Sequence, residues 1–146
     1  MSKPVPFETT LHVRDHCLCL HAQQAARALS RRFDAAFRPL GISSGQFSLL
    51  MSLNRPEPAT IGQVAETLAM DRTTLTANLK PLERKALIAV TPDARDKRGR
   101  RIALTEAGMA LLNQAAPIWQ TVHAEMEARL GEGEPDRLRA GLRELG

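Results

Sequence analysis

Asp71-Arg72-Thr73-Thr74-Leu75-Thr76-Ala77-Asn78-Leu79-Lys80-Pro81-Leu82-Glu83-Arg84-Lys85 is the stretch on which the fold turns. Asp71 is suited to cap a helix, since its carboxylate accepts from free N–H groups of the first turn and sits at the positive end of the helix dipole. Leu75, Leu79 and Leu82 recur at 4-3 spacing and therefore share one face, which must meet a core. The opposite face offers Thr73, Thr74, Asn78, Lys80 and Arg84. Short polar side chains at the start of a helix, with cations further along, suit the major groove of double-stranded DNA. Thr and Asn bond base edges or phosphates there, and Lys and Arg neutralise phosphate.

Immediately upstream, Thr60-Ile61-Gly62-Gln63 has the form of a capping box. The helix it opens carries Ile61, Val64, Ala65 and Leu68 on one apolar stripe. The tight turn Ala69-Met70-Asp71 joins the two helices, which is the arrangement of a helix-turn-helix, although this segment alone fits any αα-hairpin equally well. Downstream, Leu87-Ile88-Ala89-Val90-Thr91 and Arg101-Ile102-Ala103-Leu104-Thr105 are apolar and partly β-branched, as strands are. Between them lies Pro92-Asp93-Ala94-Arg95-Asp96-Lys97-Arg98-Gly99-Arg100, turn chemistry loaded with cations. A basic hairpin at about Ile88–Leu104 that follows a recognition-type helix is a wing, and its arginines fit the negative potential of a narrow minor groove.

Charge is concentrated in these two places. Arg72, Lys80, Arg84 and Lys85 against Asp71 and Glu83 leave +2, and Arg95, Lys97, Arg98, Arg100 and Arg101 against Asp93 and Asp96 leave +3. The whole chain carries only +4, so everything else sums to −1. Such a local footprint suits a polyanion.

Further out, a long helix is expected from about Leu11 to Arg38, rich in Ala, Leu, Gln and Arg and stopped by Pro39 and Gly41. Ser43-Ser44-Gly45-Gln46 is a second capping box ahead of a short apolar helix, Phe47–Leu53, which Asn54-Arg55-Pro56-Glu57-Pro58 ends. After the hairpin, Thr105 caps a long helix with the stripe Leu111, Ala115, Ile118, Val122, Met126 and Leu130. Pro117 should kink it, and Gly131-Glu132-Gly133 should break it before a last short helix ending near Leu145. The expected fold class is mainly α with a small β-hairpin wing: a winged helix-turn-helix over 43–104, and helices at 11–40 and 106–145, within one domain of 146 residues. Disorder is expected only in the first ten residues and at the C-terminal tip. With 43% hydrophobic and 25% charged residues the composition is that of an ordinary soluble globular chain. No signal-like or membrane-length apolar run is present, so the cytoplasm is the expected location. No Ser/His/Asp set, phosphate-binding Gly loop or paired acidic motif suggests an enzyme, and no cofactor is expected.

In sum, the residues resemble the multiple-antibiotic-resistance regulator (MarR) family of winged helix-turn-helix transcription regulators over about Leu18–Ile118. The pieces that carry the resemblance are Asp71-Arg72-Thr73-Thr74-Leu75-Thr76, Leu82-Glu83-Arg84-Lys85-Ala86-Leu87-Ile88, Asp96-Lys97-Arg98-Gly99 and Leu104-Thr105-Glu106-Ala107-Gly108, in the family's order and spacing. The resemblance implies a homodimer built from the first helix and the last two. It implies a palindromic operator read by Arg72, Thr73, Thr74, Thr76, Asn78, Lys80, Arg84, Arg95, Lys97, Arg98 and Arg100, usually to repress a nearby promoter. It also implies a pair between Asp71 and Arg98 that braces the recognition helix against the wing. Two residues depart from the pattern: Pro81 stands inside the recognition helix, and Ala86 stands where the family has glycine, which puts the usual left-handed helix end in question.

The first helix bears the residues suited to sensing. His12, His16 and Cys19 fall within about 60° of one another on a single helix; no metal is expected, and a zinc-responsive protein using these three is the alternative reading to their being polar and small packing residues near a dimer seam. Cys17 and Cys19 are the candidate redox sensors, Cys19 matching by ungapped count the reactive cysteine of the family's organic-peroxide-sensing branch. That branch places tyrosines beside its thiol, whereas Phe33 and Ser44 stand at the matching positions here and the chain has no tyrosine. On one helix, residues two apart do not face each other, which argues against a Cys17–Cys19 disulfide. The family's commoner signal is a small aromatic ligand in the crevice between the dimer helices and the winged lobe.

Overall fold

The computed structural model describes residues 2–146. Seven α-helices and a small three-stranded sheet follow one another as α1 (Phe7–His16), α2 (Leu18–Phe37), a 3-10 turn (Arg38–Leu40), α3 (Ser44–Ser52), β1 (Ala59–Thr60), α4 (Ile61–Thr67), α5 (Arg72–Arg84), β2 (Ile88–Pro92), β3 (Arg100–Leu104), α6 (Glu106–Glu127) and α7 (Glu134–Leu145).

Local chemistry sets most of the boundaries. At α3 the Ser43 hydroxyl accepts from Gln46 N at 3.1 Å while the Ser43 N–H donates to Gln46 Oε1 at 3.1 Å. Thr60 and Gln63 exchange the same pair of bonds at 3.1 and 3.0 Å at α4. Each box satisfies two backbone N–H groups that a helix start leaves without partners. Thr105 opens α6 by accepting from Gly108 N at 3.0 Å.

The expected Leu11–Arg38 helix is in fact two helices. Cys17 has an extended backbone (ψ 112°) between α1 and α2, and its Sγ accepts from Leu20 N at 3.4 Å in the role of an N-cap. Helix begins as early as Phe7, inside the segment expected to be disordered. Pro117 lies within α6, which continues through it as one helix to Glu127. The break at Gly131-Glu132-Gly133 is present, with Gly133 in the left-handed region at φ 76°.

The sheet order is β1-β3-β2, antiparallel throughout, with Ala59 opposite Ile102 and Val90 opposite Ile102. The hairpin was expected; β1, two residues long, was not. The fully buried side chains Phe37, Val64, Leu50, Leu75, Leu82 and Ile102 come from α2, α3, α4, α5 and β3, and Leu112 and Ala115 of α6 close the same core. Phe37 stacks between Phe33 and Phe47, with centroid distances of 5.8 and 4.8 Å. Each such buried side chain is worth roughly 1.5–3 kcal/mol relative to exposure. Neither α1 nor α7 contributes a buried residue. No described helix is long and apolar enough to cross a membrane.

Candidate nucleic-acid interface

α5 is pinned from both ends and along one side. Asp71 Oδ1 accepts from Thr74 N at 2.8 Å, and Oδ2 accepts from the Thr74 hydroxyl at 2.7 Å. These bonds, the backbone one foremost, hold the Asp71 carboxyl below its ordinary pKa. Leu75, Leu79 and Leu82 are buried. At the far end Leu87 N donates to Leu82 O at 3.0 Å and Ala86 N to Glu83 O at 2.9 Å, with Ala86 at φ +58°. This is a Schellman end, so the left-handed geometry is kept although glycine is absent. α4 ends in the same way: Met70 N reaches Ala65 O at 2.9 Å and Ala69 stands at φ +50°. Pro81 does not interrupt α5.

The exposed side of α5 divides in two. At about 100° per residue, Arg72, Thr76, Lys80, Thr73 and Arg84 span roughly one third of the circumference, from Arg72 beside Leu79 round to Thr73 and Arg84 on the side away from the three leucines. Arg72, Thr73, Thr76 and Lys80 line one shallow depression with Ala77, and Lys80 and Arg84 line the next. Thr74 and Asn78 lie round the other flank. The Thr74 hydroxyl is already given to Asp71, and Asn78 Nδ2 points to Met70 Sδ at 3.6 Å. Gly62 of α4 gives Arg72 its room, since a Cβ there would sit 2.9 Å from Arg72 Nη2.

The wing loop is folded by two aspartates. Asp93 Oδ1 accepts from Arg95 N at 3.1 Å, and Asp96 Oδ1 accepts from Arg98 N at 3.0 Å. Asp93 N donates to Gly99 O at 3.0 Å and Gly99 N to Asp96 O at 2.9 Å, closing the loop. The Asp93 carboxyl is held below its ordinary pKa, first by the Arg95 backbone N–H and then by the Arg101 charge, against partial burial. Arg95, Lys97, Arg98 and Arg100 are left exposed around this loop. A crevice of about 350 Å³ separates wing from helix, lined among others by Arg72, Thr76, Arg98 and Arg100. Among the described residues, none of Arg72, Lys80, Arg84, Arg95, Lys97, Arg98 and Arg100 forms an ion pair.

The expected Asp71–Arg98 brace is not formed. Asp71 spends its carboxylate on its own helix, where the partners are local and need no loop ordering. The ion pair that does tie the wing down is Arg101 Nε to Asp93 Oδ1, 3.4 Å. Lys85, one of the cations counted on this face, donates instead to Gly41 O at 2.8 Å.

A chain with 37% identity and the same architecture is the transcriptional regulator MosR of M. tuberculosis, solved in complex with DNA; the match covers 89% of this chain and 93% of that one at a TM-score of 0.81. The model of the MarR family matches residues 40–99, the span that holds the helix-turn-helix and most of the wing. The organic hydroperoxide resistance transcriptional regulator of Bacillus subtilis is 30% identical over 105 residues, 72% of this chain and 71% of that protein.

The chain belongs to the MarR family.

As a MarR-family protein it is a DNA-binding transcription regulator, and α5 with the β2–β3 wing is its winged helix-turn-helix. The transcriptional activatory protein BadR of Rhodopseudomonas palustris is 33% identical over 88 residues; the match takes in 58% of this chain and half the length of that protein.

The sensing residues do not assemble as expected. His12 and His16 stack at 4.4 Å, and His16 Nδ1 lies 3.0 Å from His12 O. The break at Cys17 puts Cys19 on a different helix from both histidines, so the shared face computed for a single helix does not exist. Among the described residues no group of three His, Cys, Asp or Glu side chains could hold a metal ion. The same break removes the premise that Cys17 and Cys19 lie on one helix: Cys17 is a half-buried cap and Cys19 an exposed residue of the first turn of α2, its Sγ 3.5 Å from Gln23 Nε2.

Proposed function

We propose that the protein is a homodimeric repressor that reads a palindromic operator in the cytoplasm, with α5 in the major groove and the wing against the minor groove. The observation that carries this is the set of seven unpaired cations presented by α5 and the wing. Arg72, Thr73, Thr76, Lys80 and Arg84 would meet the major groove, with Thr74 and Asn78 at its edge. Arg95, Lys97, Arg98 and Arg100 would meet backbone and minor groove. The dimer would be made by α1, α2, α6 and α7. Val13, Leu18, Leu138, Leu142 and Leu145 stand 50% or more exposed there, and such apolar side chains at helical spacing want a covering surface.

Gel-shift titration on the DNA upstream of its own coding region tests the assignment. Saturable binding should fall steeply with salt, because neutralised phosphates release counterions, and protected half-sites should lie about one helical turn apart, ~10 bp. Equal affinity for random DNA would refute it.

Thiol oxidation is the signal that a specific observation favours. Cys17 sits at the only joint between α1 and α2 and caps α2 through its sulfur, and a 30% identical relative is named for organic hydroperoxide resistance. Oxidation of Cys17 or Cys19 to a sulfenic acid, with the peroxide reduced to its alcohol, places a new polar group at that joint. Peroxide should release DNA from the native protein and not from a protein carrying both Cys17→Ser and Cys19→Ser. Release of that variant by phenolic compounds instead would assign the signal to a small aromatic ligand between the dimer helices and the winged lobe.

A further inference from the structure

We propose that Asp93 and Arg101 are a positioning pair of the wing, and that Arg101 acts on DNA affinity without touching phosphate. The inference rests on the DNA-facing role of the wing. Arg101 lies on the central strand β3, opposite Thr60 of β1 and Thr91 of β2. Its guanidinium reaches both outer margins of the sheet. Nη1 donates to Pro58 O at 3.0 Å, just before β1, and Nε lies 3.4 Å from Asp93 Oδ1, just after β2. One side chain thus fastens the loop that enters α4 and the loop that carries Arg95, Lys97 and Arg98.

This pair is also the most covered in the molecule, with side-chain exposures of 29% for Arg101 and 11% for Asp93; in every other ion pair among the described residues both partners are at least 33% exposed. Cover and two fixed acceptors distinguish Arg101 from its exposed neighbours Arg98 and Arg100. Gly99 adds to the fit: a Cβ there would lie 3.3 Å from Asp93 Cβ, so its absence lets the aspartate lie flat against the loop. Asp93 is the anion that charge alone would remove from a DNA-binding surface. Its cost to affinity makes sense only if what it holds is worth more.

The test turns on a sign. A duplex selected from a random-sequence pool by the unaltered protein serves as probe, and Kd is measured between 50 and 200 mM KCl. Asp93→Asn keeps the acceptor for Arg95 N and so keeps the loop turn, while deleting one negative charge. A purely electrostatic role predicts tighter binding. The positioning role predicts about fivefold to tenfold weaker binding at every salt concentration, the size of one coupled contact. Arg101→Gln should match it, Arg101→Lys should be no better because an ammonium cannot span both acceptors, and the double variant should be no worse than the poorer single. The slope of log Kd on log salt should stay at its native value in all of these, whereas Arg98→Gln should make it shallower by about one phosphate contact per site. Asp93→Asn binding as well as or better than the native chain would overturn the proposal, and so would a shallower slope for Arg101→Gln. Failure of the native chain to select any duplex would sink the DNA-facing role and the pair with it.

Discussion

Ala86→Gly should stabilise the protein. Ala86 is exposed and stands at φ +58°, where an L side chain crowds the following carbonyl oxygen at a cost of about 1–2 kcal/mol. Glycine removes that crowding and, because the methyl group is at the surface, gives up no packing. Against this, glycine widens the unfolded ensemble, which costs about 0.4–1 kcal/mol. The balance is a gain of about 0.5–1 kcal/mol, or a melting temperature raised by roughly 2–3 °C for a chain of this size. Urea unfolding at one fixed protomer concentration is the assay, since a dimer's midpoint moves with concentration. The midpoint should rise with the slope unchanged. Ala77→Gly is the control: Ala77 is also exposed but lies inside α5, where the same change should cost about 1 kcal/mol. The two substitutions, nine residues apart, should therefore have opposite signs. A loss of stability for Ala86→Gly comparable to that for Ala77→Gly would mean that residue 86 is not in the left-handed region and that the Schellman end of α5 is misdescribed.

Gly108→Ala should destabilise by about 3 kcal/mol in the same unfolding assay, because its Cβ would lie 2.0 Å from Leu87 O, a backbone atom held by Thr105 N. Lys80→Ala and Arg98→Ala should each make the salt dependence of operator binding shallower by about one phosphate contact per site, and gel shifts at several salt concentrations read this directly. Acid should weaken the fold through Asp71 and Asp93. Both carboxyls are depressed in the folded chain, so their contribution is present above the unfolded value of about 3.9 and is lost as pH falls from there through the lower folded values. Urea midpoints taken from pH 7 to pH 3 should hold steady to about pH 5 and then drop, and Asp71→Asn, which still caps, should flatten that drop.

What could be read from the chain alone was what is local. Both capping boxes are side chains answering backbone groups three residues away, so spelling and structure coincide at Ser43–Gln46 and Thr60–Gln63. The Leu75, Leu79, Leu82 stripe needed only helical periodicity. The joint at Cys17 left no such sign: Leu18–Phe37 is rich in helix formers, no Gly or Pro lies within Phe7–His16 or between the two helices, and a thiol is not among the usual caps. β1 is too short to show any alternation and exists because Arg101 and Ile102 pair with it. Asp71 was legible as a cap because its partner lies three residues away, whereas a partner on the wing followed only from the resemblance. Arg101 was hidden among four other cations between Arg95 and Arg100, and only its place on the central strand separates it from them.

The tract Leu104-Thr105-Glu106-Ala107-Gly108 shows why a weak run of letters can be worth so much to a fold. Thr105 does three things at once: its N–H donates to Leu87 O at 3.1 Å, its hydroxyl donates to Ala86 O at 2.7 Å, and the same oxygen accepts from Gly108 N at 3.0 Å. Gly108 then allows the α6 backbone to press onto Leu87 O. The carbonyls so engaged belong to Ala86 and Leu87, the two residues beyond the C-cap of α5, and Leu87 N is itself bonded to Leu82 O within that helix. The start of α6 is thus locked by backbone bonds to the end of α5, with no long side chain in between. Long side chains would let the two helices drift by rotamer changes; a threonine, a glycine and a left-handed alanine do not. A displacement of α6 relative to the rest of the lobe must therefore either carry the end of α5 with it or break the Thr105 bonds, and Lys80 and Arg84 of α5 lie within two turns of that junction.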